Sequence, residues 1–420
     1  MTQTVMSTND YINLSNAQKL ASPLNFSTMA KPVGSVCNLN CRYCYYSGKA
    51  DLYNKLQPRM SEELLELFVR QYIEAVEAPE VSFCWHGGEP LLAGLDFYTK
   101  ATALQKKYAN GKKISNSLQT NGLLMNDDWC DFFRDNNFLI GVSIDGLRHI
   151  HDANRLDFNR QPTFGKVLKN IELMFHKGVE YNTLCTINSR SEGLGVEIYR
   201  FLRSISKFIQ FLPVYEHSDG NGNIVSPSST HSKPTSYSVS SHGFGQFMID
   251  VFDEWIRHDV GETFVQLFDI TLSQWYGMPS TSCAFSETCG DGLVVEHNGD
   301  VYCCDHFVYP EYKLGNIKNQ SLAELRTTLK QFRFGMDKRD TLPTKCQNCE
   351  YLFLCHGECP KHRFDTTDTG EPGLNSLCKG YKMFFEHTKP YMKKMCELLD
   401  RDQAPAEIMN HNTSPRITRI

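Results

Sequence analysis

The chain has 420 residues, 41% of them hydrophobic and 22% charged, which suits one large globular domain with a smaller one beside it. A formal net charge of -5 supplies no basic footprint and excludes nucleic acid as the expected partner. No apolar run approaches the roughly 18 to 20 residues of a membrane span, and the polar start Met1 to Asn16 lacks an export signal, so no membrane partner and a cytoplasmic location are expected.

Residues 1–25 carry no strong periodicity and read as an N-terminal arm. Val33 to Val36 is expected as a first strand, and Ser61 caps a helix whose Leu64, Leu65, Phe68, Val69, Tyr72, Ile73 and Val76 repeat at helical spacing. Val81 to Trp85 predicts a second strand, Phe97 to Tyr108 a helix and Ser117 to Thr120 a third strand. Asp127 to Asn136 follows as a helix with acidic residues in its first turn, and Leu139 to Ile144 as a fourth strand. A helix from Phe164 to Lys177 ends at Gly178, and Asn182 to Ile187 forms a fifth strand; a helix around Val196 to Ser206 and the run Phe208 to Val214 complete a sixth unit. Six strand-helix repeats with short connections imply an α/β fold, a partial (β/α)6 TIM-like barrel over 26–217 with ligands at the C-terminal strand ends. Residues 218–242, rich in Ser and His, read as a loop or linker, and His217, His231 and His242 as solvated. Bridging helices occupy 243–282, a cysteine-rich domain 283–385, and a C-terminal helix and tail 386–420.

Sixteen cysteines in a large chain without an export signal point to metal binding or redox work rather than disulfides. Cys84, Cys130, Cys185 and Cys396 fall in apolar or helical runs and read as inert thiols. Cys37-x3-Cys41-x2-Cys44 offers three thiols in eight residues, the number that holds a 4Fe-4S cluster with one iron left open; a structural zinc knuckle needs four closed ligands, and no fourth stands nearby. Gly87-Gly88-Glu89-Pro90 ends the second strand, where two glycines let backbone approach a ligand and Glu-Pro stiffens the turn. Farther on, Leu293 to Tyr302 reads as a hairpin turned at Asn298-Gly299 and ending at Cys303-Cys304. Cys346-x2-Cys349-x5-Cys355-x3-Cys359, with Cys283, Cys289 and Cys378, suits either iron-sulfur clusters or zinc ribbons.

The triad together with Gly87 to Pro90 resembles the signature of the radical S-adenosylmethionine superfamily. The resemblance implies that the open iron chelates S-adenosylmethionine, with Tyr43, Gly87, Gly88, Glu89, Ser143, Arg155 and Leu212 as cofactor contacts. The C-terminal cysteines resemble a SPASM domain, which implies Cys283, Cys289, Cys304 and Cys359 on one auxiliary 4Fe-4S cluster and Cys346, Cys349, Cys355 and Cys378 on another. Spacing leaves open which of Cys303 and Cys304 ligates. With Tyr45-Tyr46 after the triad and Asp305 after Cys304, the chain is similar to the anaerobic sulfatase-maturating enzymes, which oxidise a Cys or Ser of a sulfatase to formylglycine. That likeness implies three clusters, an unfolded or nascent sulfatase polypeptide as partner, a low-potential flavodoxin- or ferredoxin-type electron donor, and Asp305 as the base. Two readings compete: a radical enzyme making a thioether or other crosslink on a ribosomal peptide, and a non-enzymatic electron carrier or zinc module.

Overall fold

The computed structural model describes residues 25–53, 59–227, 229 and 232–410. The N-terminal arm up to residue 24, His231 and the tail from 411 lie outside them.

The first strand, β1, is Ser27–Lys31. Val33 to Val36, expected as a strand, is instead a run of turns, because Pro32 ends the strand and Gly34 sits at φ +56°. Helix α1, Glu62–Ala75, starts where the Ser61 side chain accepts from the Leu64 amide, and the predicted apolar stripe is buried, including Val76, which is the C-cap just past the last helical residue. The repeat then continues through β2 (Glu80–Trp85), α2 (Leu95–Tyr108), β3 (Lys113–Thr120), α3 (Asp127–Asp135), β4 (Phe138–Ser143), the short α4 (Arg148–Asn154), α5 (Phe164–Lys177), β5 (Tyr181–Ile187), α6 (Gly195–Ile205) and β6 (Phe208–Pro213). Helix α7 (Ser241–His258), the two-residue β7 (Phe264–Val265) and α8 (Gln266–Trp275) close this half.

The predicted hairpin is present as β8 (Gly292–Glu296) and β9 (Asp300–Tyr302), followed by β10 (Lys313–Asn316). It does not stand apart. The sheet runs β10-β9-β8-β1-β2-β3-β4-β5-β6-β7, with β8 parallel to β1 from Ser27 opposite Gly292 to Lys31 opposite Glu296. The cysteine-rich half therefore extends the sheet of the partial barrel. Helices α9 (Leu329–Asp340) and α10 (Cys378–Leu399) follow, and α10 crosses α7 where Gly245 and Gly380 bring the two backbones together.

Along each strand, alternate residues are buried under the helices: Val81, Phe83 and Trp85 on β2, Leu118 on β3, Ile140 and Val142 on β4, Ile209 and Phe211 on β6. The opposite face carries Cys84, Ser117 and Leu139 in register, then Gln119, Gly141 and Asn182, then Ser143, Leu184 and Gln210, then Thr186 and Leu212. Most of these are small or polar and part-exposed. A closed TIM barrel fills this face with branched apolar side chains; here it lines an open lumen.

The segment 218–242 is no free linker. His217–Ser218 pairs antiparallel with Lys233–Pro234, and His217 is buried, stacked on Phe364 at 3.8 Å. His242 is exposed, as expected.

Candidate active site and cluster cradles

The Cys37 to Cys44 loop leaves the C-terminal end of β1 and is pinned from two sides. The amides of Asn40 and Arg42 donate to the carbonyls of Leu156 and Asn154, both at 2.9 Å. Opposite, the amides of Gly88 and Glu89 donate to the carbonyls of Gly34 and Val36, both at 2.8 Å. A Cβ on Gly88 would lie 2.1 Å from the Val36 oxygen, and one on Gly87, at φ +134°, 2.8 Å from that of Gly34. The glycines thus make room for the cysteine loop itself, where the sequence suggested room for a ligand. Glu89 is fully buried and accepts from Thr120 Oγ1 (2.8 Å), the Asn121 amide (2.9 Å) and the Leu91 amide (3.0 Å). Its side chain braces the turn, leaving only its backbone to meet a cofactor.

The three thiols share one neighbourhood: Cys44 and Cys37 both act electrostatically on Cys41. Burial pushes Cys37 up to about 11 and Cys41 up to about 12, so each needs a positive partner to ionise. Donors already face Cys37, from the Leu39 amide at 3.4 Å and Asn121 Nδ2 at 3.8 Å.

Beside the loop, Asp145 is completely buried and gathers Tyr43, Arg155 and Thr186. It accepts from Tyr43 Oη, from Arg155 Nε at 3.1 Å and from Thr186 Oγ1 at 2.8 Å. Burial would raise its pKa, but the Arg155 charge and His151 hold it below the usual carboxylate range. Arg155 also lies over the Tyr43 ring at 5.4 Å, which keeps the remaining guanidinium N–H groups near the triad. Ser143 accepts from Gln119 Nε2 at 3.1 Å, and Leu212 is 38% exposed on the lumen face next to Thr186. The predicted cofactor contacts therefore lie along the C-terminal strand ends.

Asp305, predicted as the base, forms an ion pair with Lys31 and accepts from Tyr45 Oη. Lys31 is fully buried, with its amine 3.3 Å from the centre of the Tyr46 ring, and Tyr46 donates to Glu296. Burial opposes ionisation of Asp305, yet the Lys31 ammonium beside it holds it far below the usual carboxylate range. The carboxylate is poised between β1, the cysteine loop and Cys304.

The other eight predicted thiols fall into two groups. Repulsion from Cys359 and Cys283 adds to burial in raising Cys304, and Cys283 acts likewise on Cys289. Cys378 acts on Cys346 and Cys355, and Cys349 on Cys346 and Cys378. A cavity of about 300 Å³ is lined by all four of Cys346, Cys349, Cys355 and Cys378. Four thiols arranged around one such space fit a polynuclear iron-sulfur cluster. Cys303 is buried and lines a different cavity, of about 430 Å³, with Tyr312 and Lys330. Of the four expected inert thiols, Cys130 and Cys185 are buried, whereas Cys84 and Cys396 are part-exposed.

Lys31 and Thr186 were not singled out by the sequence, since an isolated Lys or Thr carries no signal. Asn121 and Asp145 carried one only as members of Gln119-Thr120-Asn121-Gly122 and Ser143-Ile144-Asp145-Gly146, which sit where strands give way to loops.

Fold and thiol groups together define a class: a radical S-adenosylmethionine enzyme with a second iron-sulfur domain. Residues 32–195 match the profile of the Radical SAM superfamily, and residues 283–350 that of an iron-sulfur cluster-binding domain, SPASM. The chain is 48% identical over 388 residues to the serine-type anaerobic sulfatase-maturating enzyme of Bacteroides thetaiotaomicron, covering 91% of this chain and 94% of that one. It is 35% identical to the cysteine-type enzyme of Clostridium perfringens, covering 87% and 96%. The solved structure of native anSMEcpe with bound AdoMet superposes with a TM-score of 0.78 at 33% identity, over 88% of this chain and 99% of that one. The chain belongs to the anaerobic sulfatase-maturating enzymes, oxidoreductases that carry S-adenosylmethionine and 4Fe-4S clusters.

Proposed function

We propose that this chain oxidises a target Ser or Cys in an unfolded or nascent sulfatase polypeptide to formylglycine, with Asp305 as the base. The observation that carries the reading is the placement of Asp305, an ionised carboxylate in the lumen mouth between Tyr45 of the triad loop and Cys304 of the first auxiliary group. When bound, S-adenosylmethionine and the clusters supply hydrogen-atom abstraction at an unactivated Cβ and accept the electron released.

Cys37, Cys41 and Cys44 would hold the cluster that binds the cofactor. Tyr43, Ser143, Arg155, Leu212 and the backbone of Gly87, Gly88 and Glu89 would orient S-adenosylmethionine against the lumen wall, the Arg155 fork suiting its carboxylate. Cys283, Cys289, Cys304 and Cys359 would hold the first auxiliary cluster, and Cys346, Cys349, Cys355 and Cys378 the second. Asp305 takes the proton of the target hydroxyl or thiol, while Lys31 and Tyr45 fix its two oxygens so that it faces the lumen. Residues 26–217 would generate the radical and 283–385 carry the electron away, with a low-potential flavodoxin- or ferredoxin-type donor and a cytoplasmic setting.

The test is anaerobic incubation of reconstituted protein with S-adenosylmethionine, reductant and peptides bearing a sulfatase-type motif with Ser or Cys at the target, read by mass spectrometry. Formylglycine formation lowers the mass by about 2 Da from Ser or about 18 Da from Cys, with 5'-deoxyadenosine released alongside. Release of 5'-deoxyadenosine with both peptides unchanged would overturn the substrate assignment. Two serine-type relatives, at 48% and 38% identity, support Ser as the preferred target.

A further inference from the structure

The short segment Cys355-His356-Gly357-Glu358-Cys359 joins the two auxiliary groups, its first cysteine in one and its last in the other. Its three middle residues all hold left-handed backbone, at φ 45°, 72° and 51°. Only glycine adopts this without cost, so His356 and Glu358 keep it because something nearby enforces it.

Arg363 is that enforcing group. Its Nη2 donates to the carbonyls of His356 (3.0 Å) and Glu358 (3.3 Å), its Nε to that of Gly357 (3.1 Å), and its Nη1 to that of Lys338 on α9 (2.7 Å). The left-handed turn points three successive carbonyls at one guanidinium, and a Cβ on Gly357 would lie 2.6 Å from Nη2. The fork is thus spent on neutral oxygens, and its charge is felt by both thiol groups: Cys359 in the first, Cys346 and Cys355 in the second. Lys338 provides a contrast. It is 1% exposed, and its amine donates to the carbonyls of Cys283 (2.7 Å), Ala284 (2.9 Å) and Ser286; the thiols that bear most on it, Cys289 and Cys359, belong to the first group.

We propose that Arg363 is a positioning residue for electron transfer between the auxiliary clusters: its guanidinium locks the turn that hands one cysteine to each, and its permanent charge raises both reduction potentials together. A cluster that gains an electron gains negative charge, and a buried cation stabilises that state strongly where the effective dielectric is low. The proposal rests on the assignment of the eight cysteines to two auxiliary clusters and is independent of the peptide substrate.

The test uses reconstituted full-length protein with Cys37, Cys41 and Cys44 changed to Ala, so that only the auxiliary clusters remain, with potentials measured by redox titration followed by electron paramagnetic resonance. Arg363→Met should shift both potentials downward, Lys338→Met only that of the cluster on Cys283, Cys289, Cys304 and Cys359. Arg363→Lys, which keeps the charge but loses the fork, should leave both potentials near wild type while the apoprotein is cut faster by protease within 355–359. Arg363→Met protein with a full iron complement and either potential unmoved would overturn the proposal. If Arg363→Met fails to load iron, Arg363→Lys decides: both clusters at wild-type potentials support the charge, and displaced potentials overturn it. Parent protein that binds zinc and takes up no iron would instead sink the auxiliary-cluster assignment itself.

Discussion

Asp305 has both carboxylate oxygens engaged, one by the Lys31 ammonium and the other by the Tyr45 hydroxyl. A carboxylate held this way is ionised before the substrate arrives, and in the proposed role a positioned base contributes about 10²- to 10⁴-fold. Asp305→Asn should therefore leave 5'-deoxyadenosine release measurable while lowering formylglycine by at least about 10²-fold; equal loss of both products would remove Asp305 from the role of base. Tyr45→Phe deletes one of the two oxygen anchors and leaves the ring contacts with His306. Its expected signature is a rise in 5'-deoxyadenosine released per formylglycine formed, since an unaimed carboxylate lets radicals be spent without product.

At the scale of elements, the cysteine loop depends on its two neighbours. Gly88→Ala drives a Cβ into the Val36 carbonyl at 2.1 Å, an overpacking that should cost about 1 to 3 kcal/mol. Calorimetry should show a lowered Tm, and iron should be lost faster to a chelator, because the displaced backbone leads directly into Cys37. The segment after β6 braces the loop from outside. Arg42, between two of the cysteines, donates to Ser236 Oγ at 3.1 Å and lies 5.7 Å from the centre of the Tyr237 ring, while the Ser189 amide donates to the Tyr237 carbonyl at 3.0 Å. One such hydrogen bond is worth about 1 kcal/mol. Arg42→Ala should accordingly speed proteolysis within 218–240 about fivefold, and an unchanged rate would mean that the segment holds itself in place.

One ten-stranded sheet is shared by the two halves of the described molecule, and the division of labour between them can be tested by cysteine removal. Cys378→Ala should lower iron from about twelve to about eight atoms per chain and leave 5'-deoxyadenosine release intact while product falls. Cys41→Ala should abolish 5'-deoxyadenosine release. If Cys378→Ala abolished it as well, the halves would not be separable in function.

The chemistry was legible in the sequence because thiol spacing in a short loop survives folding: three ligands within eight residues remain neighbours in any compact fold, as do Gly87 and Gly88 at a strand end. The helices were legible for a similar reason, since the apolar stripe and Ser61 cap of α1 are local. What the tertiary structure decided were the meetings of distant residues. Lys31 reaches Asp305 only because β8 pairs with β1, Ser27 opposite Gly292, and Asp145 collects Thr186 only once β4 and β5 lie side by side. Arg363 becomes the hinge between two thiol groups only when the chain turns left-handed at His356, Gly357 and Glu358. Buried ion pairs and carbonyl cages of this kind arise from packing across the sheet, and residues so far apart leave no period or spacing in the sequence from which to read them.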